Sequence, residues 1–225
     1  MLIYLALPLT LIVFFLSKAL YLRKPWPFLH PFVVSVLTLI MLHLMLNLDY
    51  AQYKSGTQIL TMLLEPAVVV LAIPLFQQLH LIKRKLGIIF ISCLLSVCIA
   101  FSVAFFVLPL LGADSVTSAS LAGQSITTAI AVEVSRTLGG ILSLTAVMVT
   151  FAGMLGATVG RIFLHRVGVK DKQAIGIAIG CASHALGTAK LLEDSPESGA
   201  FSSLALIVCA IFSALLMPIF YMLLF

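Results

Sequence analysis

Hydrophobic residues form long continuous runs in this chain, and short polar stretches separate the runs. An apolar run of about 20 residues is long enough to cross a bilayer core of about 30 Å as a helix. The runs are continuous rather than alternating, which favours helices over the strands of a membrane barrel. We therefore expect spans at residues 2–17, 28–47, 58–79, 87–111, 140–164 and 200–225.

Prolines bear on two of these expectations, because proline interrupts the hydrogen bonding of a helix. Pro25 and Pro27 separate the first two spans. Pro66 and Pro74 lie inside the span at 58–79, so we expect that span to be kinked or broken.

Two stretches are too polar for helices that face only lipid, and too apolar for surface loops. The first, residues 115–138, contains GQSITTAIAVE at 123–133, and the second covers residues 173–193. Polar residues at membrane depth usually face a protein interior or a water-filled cavity. Each stretch has a glycine, a polar cluster, small apolar residues and then a glutamate, so the two predict one functional region built from broken helices.

The distribution of Lys and Arg predicts the topology, because these residues concentrate on the cytoplasmic side. Residues 18–24 and 83–85 carry three bases each, and residues 161–172 carry four. Residues 48–57 carry Lys54 alone, and residues 112–116 carry none. We therefore expect the N-terminus and residue 112 outside, and residues 80–86 in a cytoplasmic loop.

This count also predicts a re-entrant hairpin. The span at 140–164 must run inward to its basic end, so residues 115–138 must enter and leave on the outer side, with a turn at about 125–128. Arg136 mildly opposes this placement. The second stretch stays open: it either dips in and out from the cytoplasm or crosses the membrane.

Composition excludes a soluble protein. Of the 225 residues, 62% are hydrophobic and 9% are charged, with mean hydropathy +1.21, whereas soluble domains carry roughly 25% charged residues. The net charge of +5 comes from bases in short loops that set orientation, so we expect no nucleic-acid partner. We expect one integral membrane domain over residues 1–225, with N-terminal spans at 1–57 and a core at 58–225.

The four cysteines, Cys93, Cys98, Cys181 and Cys209, lie within apolar runs and form no C-x-x-C pair. We interpret them as small buried residues, and expect no disulfide, metal or cofactor. The sequence also offers no nucleophile with its base and no phosphate loop, so we expect no enzyme activity.

The polar stretches supply the candidate site residues. Converging half-helix N-termini would direct N–H groups and positive dipole ends at a small anion near the bilayer midplane. His184 is a candidate anion-binding or proton-coupling group, and the alternative is a buried histidine bonded to a backbone carbonyl. The hydroxyls either donate to a carboxylate or bond between helices. The candidate substrate-binding residues are Ser125, Thr127, Thr128, Ser183, His184, Gly187 and Thr188.

Charged residues end both stretches. Glu133, Lys190 and Glu193 are candidates for gating or proton coupling, with ordinary loop charges as the alternative. Lys190 is also placed to pair with Glu193 or Glu197 on a helix. The small face at Gly153, Gly156 and Gly160 indicates helix packing rather than a binding function.

With both stretches identified, the chain resembles the LrgB family (CidB/LrgB), including its plastid glycolate/glycerate translocators. The resemblance covers roughly residues 60–215, and the run Ser183-His184-Ala185 followed by Gly187-Thr188-Ala189 is its most specific part. The matching residues are Pro66, Ala67, Ala72, Pro74 and Leu75; Ser125, Thr127, Thr128, Ile130, Ala131, Glu133 and Ser135; Gly139, Gly140, Leu144, Thr145 and Ala146; Gly153, Gly156 and Ala157; and Ala178, Gly180, Ala182 to Ala185, Gly187, Thr188, Ala189, Glu193, Gly199 and Ala200. The chain departs from the family at Glu65, where glycine is usual, and at Ala129, where proline is usual.

Hydropathy, the count of bases and the two broken stretches predict an all-α polytopic membrane protein of about six spans with two broken or re-entrant hairpins. They leave an inverted repeat open, since the two halves do not align residue by residue. The resemblance implies an inner-membrane carrier of small monocarboxylates of the glycolate, glycerate, pyruvate or lactate type. The alternative is a holin- or antiholin-like regulator of murein hydrolase activity and cell lysis. The expected partners are a small carboxylate substrate, the lipid bilayer, a small LrgA/CidA-like membrane protein and further copies of the chain.

Overall fold

The computed structural model describes residues 2–24, 26, 29–47, 49–63, 66, 69–70 and 72–224, and every regular element in these ranges is a helix. Five described helices are long and apolar enough to cross a membrane, and Pro31–Leu46 is a shorter apolar helix. The expected all-α polytopic membrane fold is therefore confirmed. Expectations that rest on Pro25, Pro27 and Glu65 lie outside the described residues.

The helices form two compact units, Met1–Val70 and Leu71–Phe225. In the first unit, α1 (Leu2–Arg23) packs against α2 (Pro31–Leu46) and α3 (Tyr50–Gly56), and α4 covers Gln58–Met62. The hydroxyls of Thr10 and Tyr53 lie 2.8 Å apart and connect α1 to α3. The expected span at 58–79 is not continuous, since α4 already ends at Met62.

The second unit begins with α5 (Ala72–Gln77) and α6 (Leu79–Ser102), which continues through a π-helical turn (Val103–Val107) and a last turn, Leu108–Leu110. The expectation of a loop at residues 80–86 is wrong, because these residues form the first turns of α6. Lys and Arg are good helix formers, so a cluster of bases does not by itself end a helix. The remaining helices are α7 (Ser115–Leu121), α8 (Thr128–Thr137), α9 (Leu142–Leu155) with a π-helical turn (Gly156–Gly160), α10 (Arg161–Arg166), α11 (Lys172–Asp194) and α12 (Pro196–Leu224).

Helices α6 and α12 run in the same direction through the second unit. The Cys93 thiol faces the Ala205 carbonyl, and further along both helices the Phe101 and Phe220 rings have centroids 5.4 Å apart. The start of α12 lies beside the basic segment 161–172, since the side chain of Gln173 donates to Glu197. The bases at 83–85 and those at 161–172 therefore lie at the same end of this unit. That agreement is what the positive-inside rule requires of cytoplasmic segments.

Candidate functional site

Helices α7 and α8 form the first hairpin, with its turn at residues 122–127. A Cβ placed on Gly123 would lie 3.1 Å from the Cα of Ala131, whereas residues eight apart on a straight helix are about 12 Å apart. After α8 the chain lies beside α7 again, where the Ile141 N–H donates to the Ser120 hydroxyl at 2.7 Å. The hairpin expected at 115–138 is therefore present.

Local chemistry explains where this hairpin begins and turns. Asp114 caps α7 by accepting a hydrogen bond from the Thr117 N–H at 2.8 Å, and the hydrogen bonds from Thr117 lower the pKa of the Asp114 carboxyl. Thr127 is extended (φ −61°, ψ 142°), and α8 starts at the next residue. Ala129 in place of the usual proline therefore does not prevent the break.

Helix α11 is the second hairpin, not a straight span. Its backbone is non-helical at Ser183 (φ −138°, ψ 19°) and His184 (φ 40°, ψ −137°). A Cβ on Gly187 would lie 2.7 Å from Cγ2 of Ile179, again eight residues away. The two legs of α11 therefore fold back on each other at Ser183–His184.

Both legs pack on α12, and the two ends of α11 lie near its start. The Gln173 side chain donates to Glu197 at 2.8 Å, and Arg161 pairs with Asp194 at 2.7 Å. Residues 173 and 194 thus lie at one end of the unit. Of the two alternatives left open by the sequence, the structure has the hairpin that enters and leaves from the basic end.

The polar groups at the second turn are buried and bonded within the protein. Ser183 and Thr188 are fully buried and His184 is 5% exposed. The His184 Nε2 lies 2.9 Å from the Val149 carbonyl, and the Thr188 hydroxyl donates to the His184 carbonyl and lies 2.7 Å from the Ser202 hydroxyl. The backbone-bonded alternative for His184 describes this structure. A substrate at this position would have to exchange with these bonds.

The glycines of α9 make room for this turn. A Cβ on Gly153 would lie 2.6 Å from the His184 ring, and one on Gly156 would overlap the Ser183 side chain. Gly160 faces Ile179 in the same way. The packing interpretation of this small face is confirmed, and its partner is the second hairpin.

The candidates at the first turn are less enclosed. Ser125 and Thr127 are half-buried and Thr128 is exposed. In the described ranges, no side-chain hydrogen bond is found for any of the three, so their hydroxyls are open to lipid, water or a ligand. Gly187, the remaining candidate, is buried against its own hairpin.

The charged candidates form local ion pairs. Glu133 pairs with Arg136 at 3.0 Å, and Lys190 pairs with Glu193 at 3.1 Å. The expected Lys190–Glu193 pair is therefore confirmed. Glu197, the other expected partner, instead accepts from Gln173, and Lys190 lies 3.6 Å from Asp194.

Helix α9 joins the two hairpins. Its Thr145 donates to Ser135 of the first hairpin at 2.7 Å, and one turn later its Val149 carbonyl bonds to His184 of the second. Within the described part of the chain, no hydrogen bond or ion pair links residues 123–133 directly to residues 180–193. Ser120, Ser135, Thr145 and Ser202 were not among the candidate site residues, although Ser135 and Thr145 belong to the blocks that carry the family resemblance. One shared site for both stretches stays a prediction.

The second unit contains the same order of elements twice, and the two copies run in opposite directions. Helix α6, a π-helical turn and the first hairpin are followed by α9, a π-helical turn and the second hairpin. Helices α6 and α9 run in opposite directions, and each hairpin enters from the end at which its preceding helix finishes. This is the arrangement of an inverted repeat, in which discontinuous helices of secondary transporters occur.

Comparison with known proteins identifies the family. The LrgB-like family model matches residues 10–223. The chain belongs to the LrgB-like family. It is 36% identical over 215 residues to the Holin-like protein CidB of Staphylococcus epidermidis, covering 96% of this chain and 94% of the relative. The CidB protein of Staphylococcus aureus is 35% identical with the same coverage, and an uncharacterized protein of Haemophilus influenzae is 37% identical over 99% of this chain and 96% of its own. No solved structure matches.

Proposed function

We propose that this LrgB-like protein is a holin-like protein of the bacterial inner membrane that changes membrane permeability and thereby regulates murein hydrolase activity and lysis. The observation that carries the proposal is the 36% identity, across 96% of the chain, to a relative named Holin-like protein CidB. The protein acts without catalysis, together with a small LrgA/CidA-type membrane partner and as a homo-oligomer.

The packing of the hairpins supports an assembled rather than a single-chain path. The glycine face of α9 is filled by His184 and Ser183, and both legs of α11 pack on α12. A pore through one copy would have to separate these surfaces. Rings of groups from several copies line oligomeric channels, and such an arrangement would put the permeability path between copies or between this chain and its partner.

A second candidate function is a carrier of small monocarboxylates of the glycolate, glycerate, pyruvate or lactate type. The inverted order of two discontinuous hairpins favours it, because secondary transporters bind their substrates at such breaks. The open hydroxyls of Ser125, Thr127 and Thr128 and the half-helix N-terminus at Thr128 suit a carboxylate. Glu133, Lys190 and Glu193 would then gate the path or couple it to protons.

Purified protein in liposomes distinguishes the two functions. For the holin-like function we expect release of a trapped anionic dye. The release rate should rise linearly with the concentration gradient of the dye, without saturation, and should show no substrate preference. For the carrier we expect saturable uptake of labelled glycolate or pyruvate that excess unlabelled substrate inhibits, while the dye stays inside. Liposomes without protein are the control. Dye retention together with saturable uptake would overturn the holin-like proposal, and neither dye release nor uptake, with or without the partner, would overturn both.

A further inference from the structure

Three of the four cysteines meet in the interior of the second unit. Cys93 comes from α6, Cys181 from the first leg of α11, and Cys209 from α12, and all three are buried. Their sulfur atoms lie within 4.8 Å of one another. No spacing along the chain predicts this cluster, because Cys93 and Cys181 are 88 residues apart and Cys181 and Cys209 are 28 residues apart.

The three thiols are arranged around a common centre. The Cys209 thiol lies 3.4 Å from the Cys181 sulfur, and the Cys181 thiol lies 3.8 Å from the Cys93 sulfur. Sulfur ligands at about 2.3 Å from a metal ion lie about 3.8 Å apart in a tetrahedral site and about 4.0 Å apart in a trigonal one. Small movements of side chains would therefore bring all three sulfurs to bonding distance of one ion.

The donor set selects the kind of ion. Thiol sulfur is a soft ligand, which favours Cu(I) and similar ions over hard cations such as Mg²⁺ or Ca²⁺. Zinc in structural sites takes four ligands, whereas the described residues bring only three of these donors together here. Three sulfurs without a fourth ligand fit a three-coordinate monovalent ion better.

Charge balance also favours a monovalent ion. A net charge is costly in an apolar interior, so the complex should be neutral. One cation M⁺ bound by one thiolate and two thiols is neutral, and its formation releases one proton. Three thiols and M⁺ therefore give the complex and H⁺, with no change in oxidation state.

A groove provides access to the cluster. A cavity of about 440 Å³ lies between α6 and the first leg of α11, and Cys181 is one of its lining residues together with Ser92 and Ser96. The rest of the described lining is apolar, so Ser92 and Ser96 are the polar side chains that an ion would meet on its way to Cys181, and this approach needs no unfolding of the helices. Binding would also join α6 and α12 to the leg that ends at the Ser183–His184 turn.

We propose that Cys93, Cys181 and Cys209 form a binding site for a soft monovalent cation of the Cu(I) or Ag(I) class. The ion connects three helices of the second unit next to the turn of the second hairpin. The site is independent of the function proposed above.

Silver ion is the probe of choice, because Ag⁺ does not oxidise thiols. Reduced full-length protein in detergent is loaded with Ag⁺ in chloride-free buffer and washed with a competing monothiol, and the retained silver is counted by mass spectrometry. We expect one Ag⁺ per chain, with one proton released. The matched control is Cys98→Ser, because Cys98 lies on the same helix as Cys93 but outside the cluster.

Substitution of the cluster should weaken binding. Cys181→Ser and Cys209→Ala each remove a direct ligand. Loss of a residue that only orients a metal ligand already lowers metal affinity about tenfold or more, so we expect these variants to lower the Ag⁺ affinity at least about tenfold. Cys98→Ser should retain the ion. Equal retention in the cluster variants, loss of retention in Cys98→Ser, or retention of Zn²⁺ but not Ag⁺ would each overturn the proposal.

A measurement on the unaltered protein covers the case in which a variant does not fold. Ag⁺ should protect Cys181 from alkylation by a small maleimide, as mapped by peptide mass spectrometry, whereas Cys98 should react equally with and without Ag⁺ after the monothiol wash. Protection of Cys98 alone, or no protection of Cys181, would contradict a site at the cluster.

Discussion

The Nε2 atom of His184 lies 2.9 Å from the carbonyl oxygen of Val149, and this contact attaches the turn of the second hairpin to α9. A carbonyl only accepts, so the imidazole must carry its proton on Nε2 in this contact. The turn that presents the ring has φ 40° at His184. One residue thus combines a left-handed backbone with a buried hydrogen bond between two elements.

Two substitutions of His184 separate these effects. His184→Ala loses the hydrogen bond but keeps a side chain at a positive φ, whereas His184→Gly loses the bond and relieves the backbone. We expect both variants to be less stable than the native protein, and the glycine variant to be more stable than the alanine variant by about 1 kcal/mol. Thermal unfolding in detergent, followed by circular dichroism, measures the difference. Equal stability of the two variants would contradict the turn geometry.

Gly180 and Gly87 form a matched pair for the packing of α11 on α12. A Cβ on Gly180 would lie 2.9 Å from the Ala205 Cβ and closer still to the Ser202 carbonyl, whereas one on Gly87 meets nothing within 4 Å. Both glycines are helical, and alanine favours a helix over glycine by about 1 kcal/mol. We expect Gly87→Ala to raise the melting temperature or leave it unchanged, and Gly180→Ala to lower it. A rise for Gly180→Ala would show that the two helices are not in this contact.

Cysteine labelling tests the two hairpins relative to the membrane. In a Cys98→Ser background, Lys172→Cys and Glu193→Cys should both react with an impermeant maleimide only from the cytoplasmic side. Ser115→Cys and Thr137→Cys should both react from the outer side. The reason is that each hairpin enters and leaves at one end of the unit. Labelling of Lys172→Cys and Glu193→Cys from opposite sides would exclude the second hairpin.

The Asp114 cap predicts an acid-dependent step at the start of the first hairpin. Because the folded state lowers the Asp114 pKa below its ordinary value of 3.8, the cap contributes stability above that pH. That contribution is lost as the pH falls through the lower folded pKa. We expect the melting temperature of the native protein to fall more steeply below pH 3.8 than that of Asp114→Asn, whose side chain accepts at every pH. Parallel curves would contradict the cap.

The carrier candidate makes a separate prediction for Thr128 and His184. If both contact one substrate, Thr128→Val and His184→Ala should each lower labelled-carboxylate uptake, and their effects should be non-additive. The measurement is initial uptake into liposomes at several substrate concentrations, with Thr150→Val on α9 as a matched hydroxyl deletion. Normal uptake by a folded double variant would remove the substrate site from these residues, and packing would remain their function. Gly187→Leu is not a clean test of substrate approach, because Gly187 is buried against Ile179 and Ser183.

The pattern of apolar and basic residues predicted much of the fold, because a membrane helix needs a minimum apolar length and its cytoplasmic end is rich in Lys and Arg. Apolar length marks the spans, and the bases mark one side of the membrane. The count of bases therefore predicted the first hairpin, whose two ends had to lie together. The same rule did not decide the second stretch, since the loop that follows it contains Glu193, Asp194 and Glu197, and acidic residues contribute little to orientation.

The sequence by itself determined that this is a polytopic helical membrane protein, where its two polar stretches lie, and which family it resembles. Only the tertiary structure decided that α11 folds back at Ser183–His184, that His184 bonds to Val149, and that Cys93, Cys181 and Cys209 share one centre. The physical reason is that hydropathy and charge act along the chain against the bilayer. Contacts between distant helices depend instead on shape, namely which glycine faces which side chain, and no periodicity in the sequence records that.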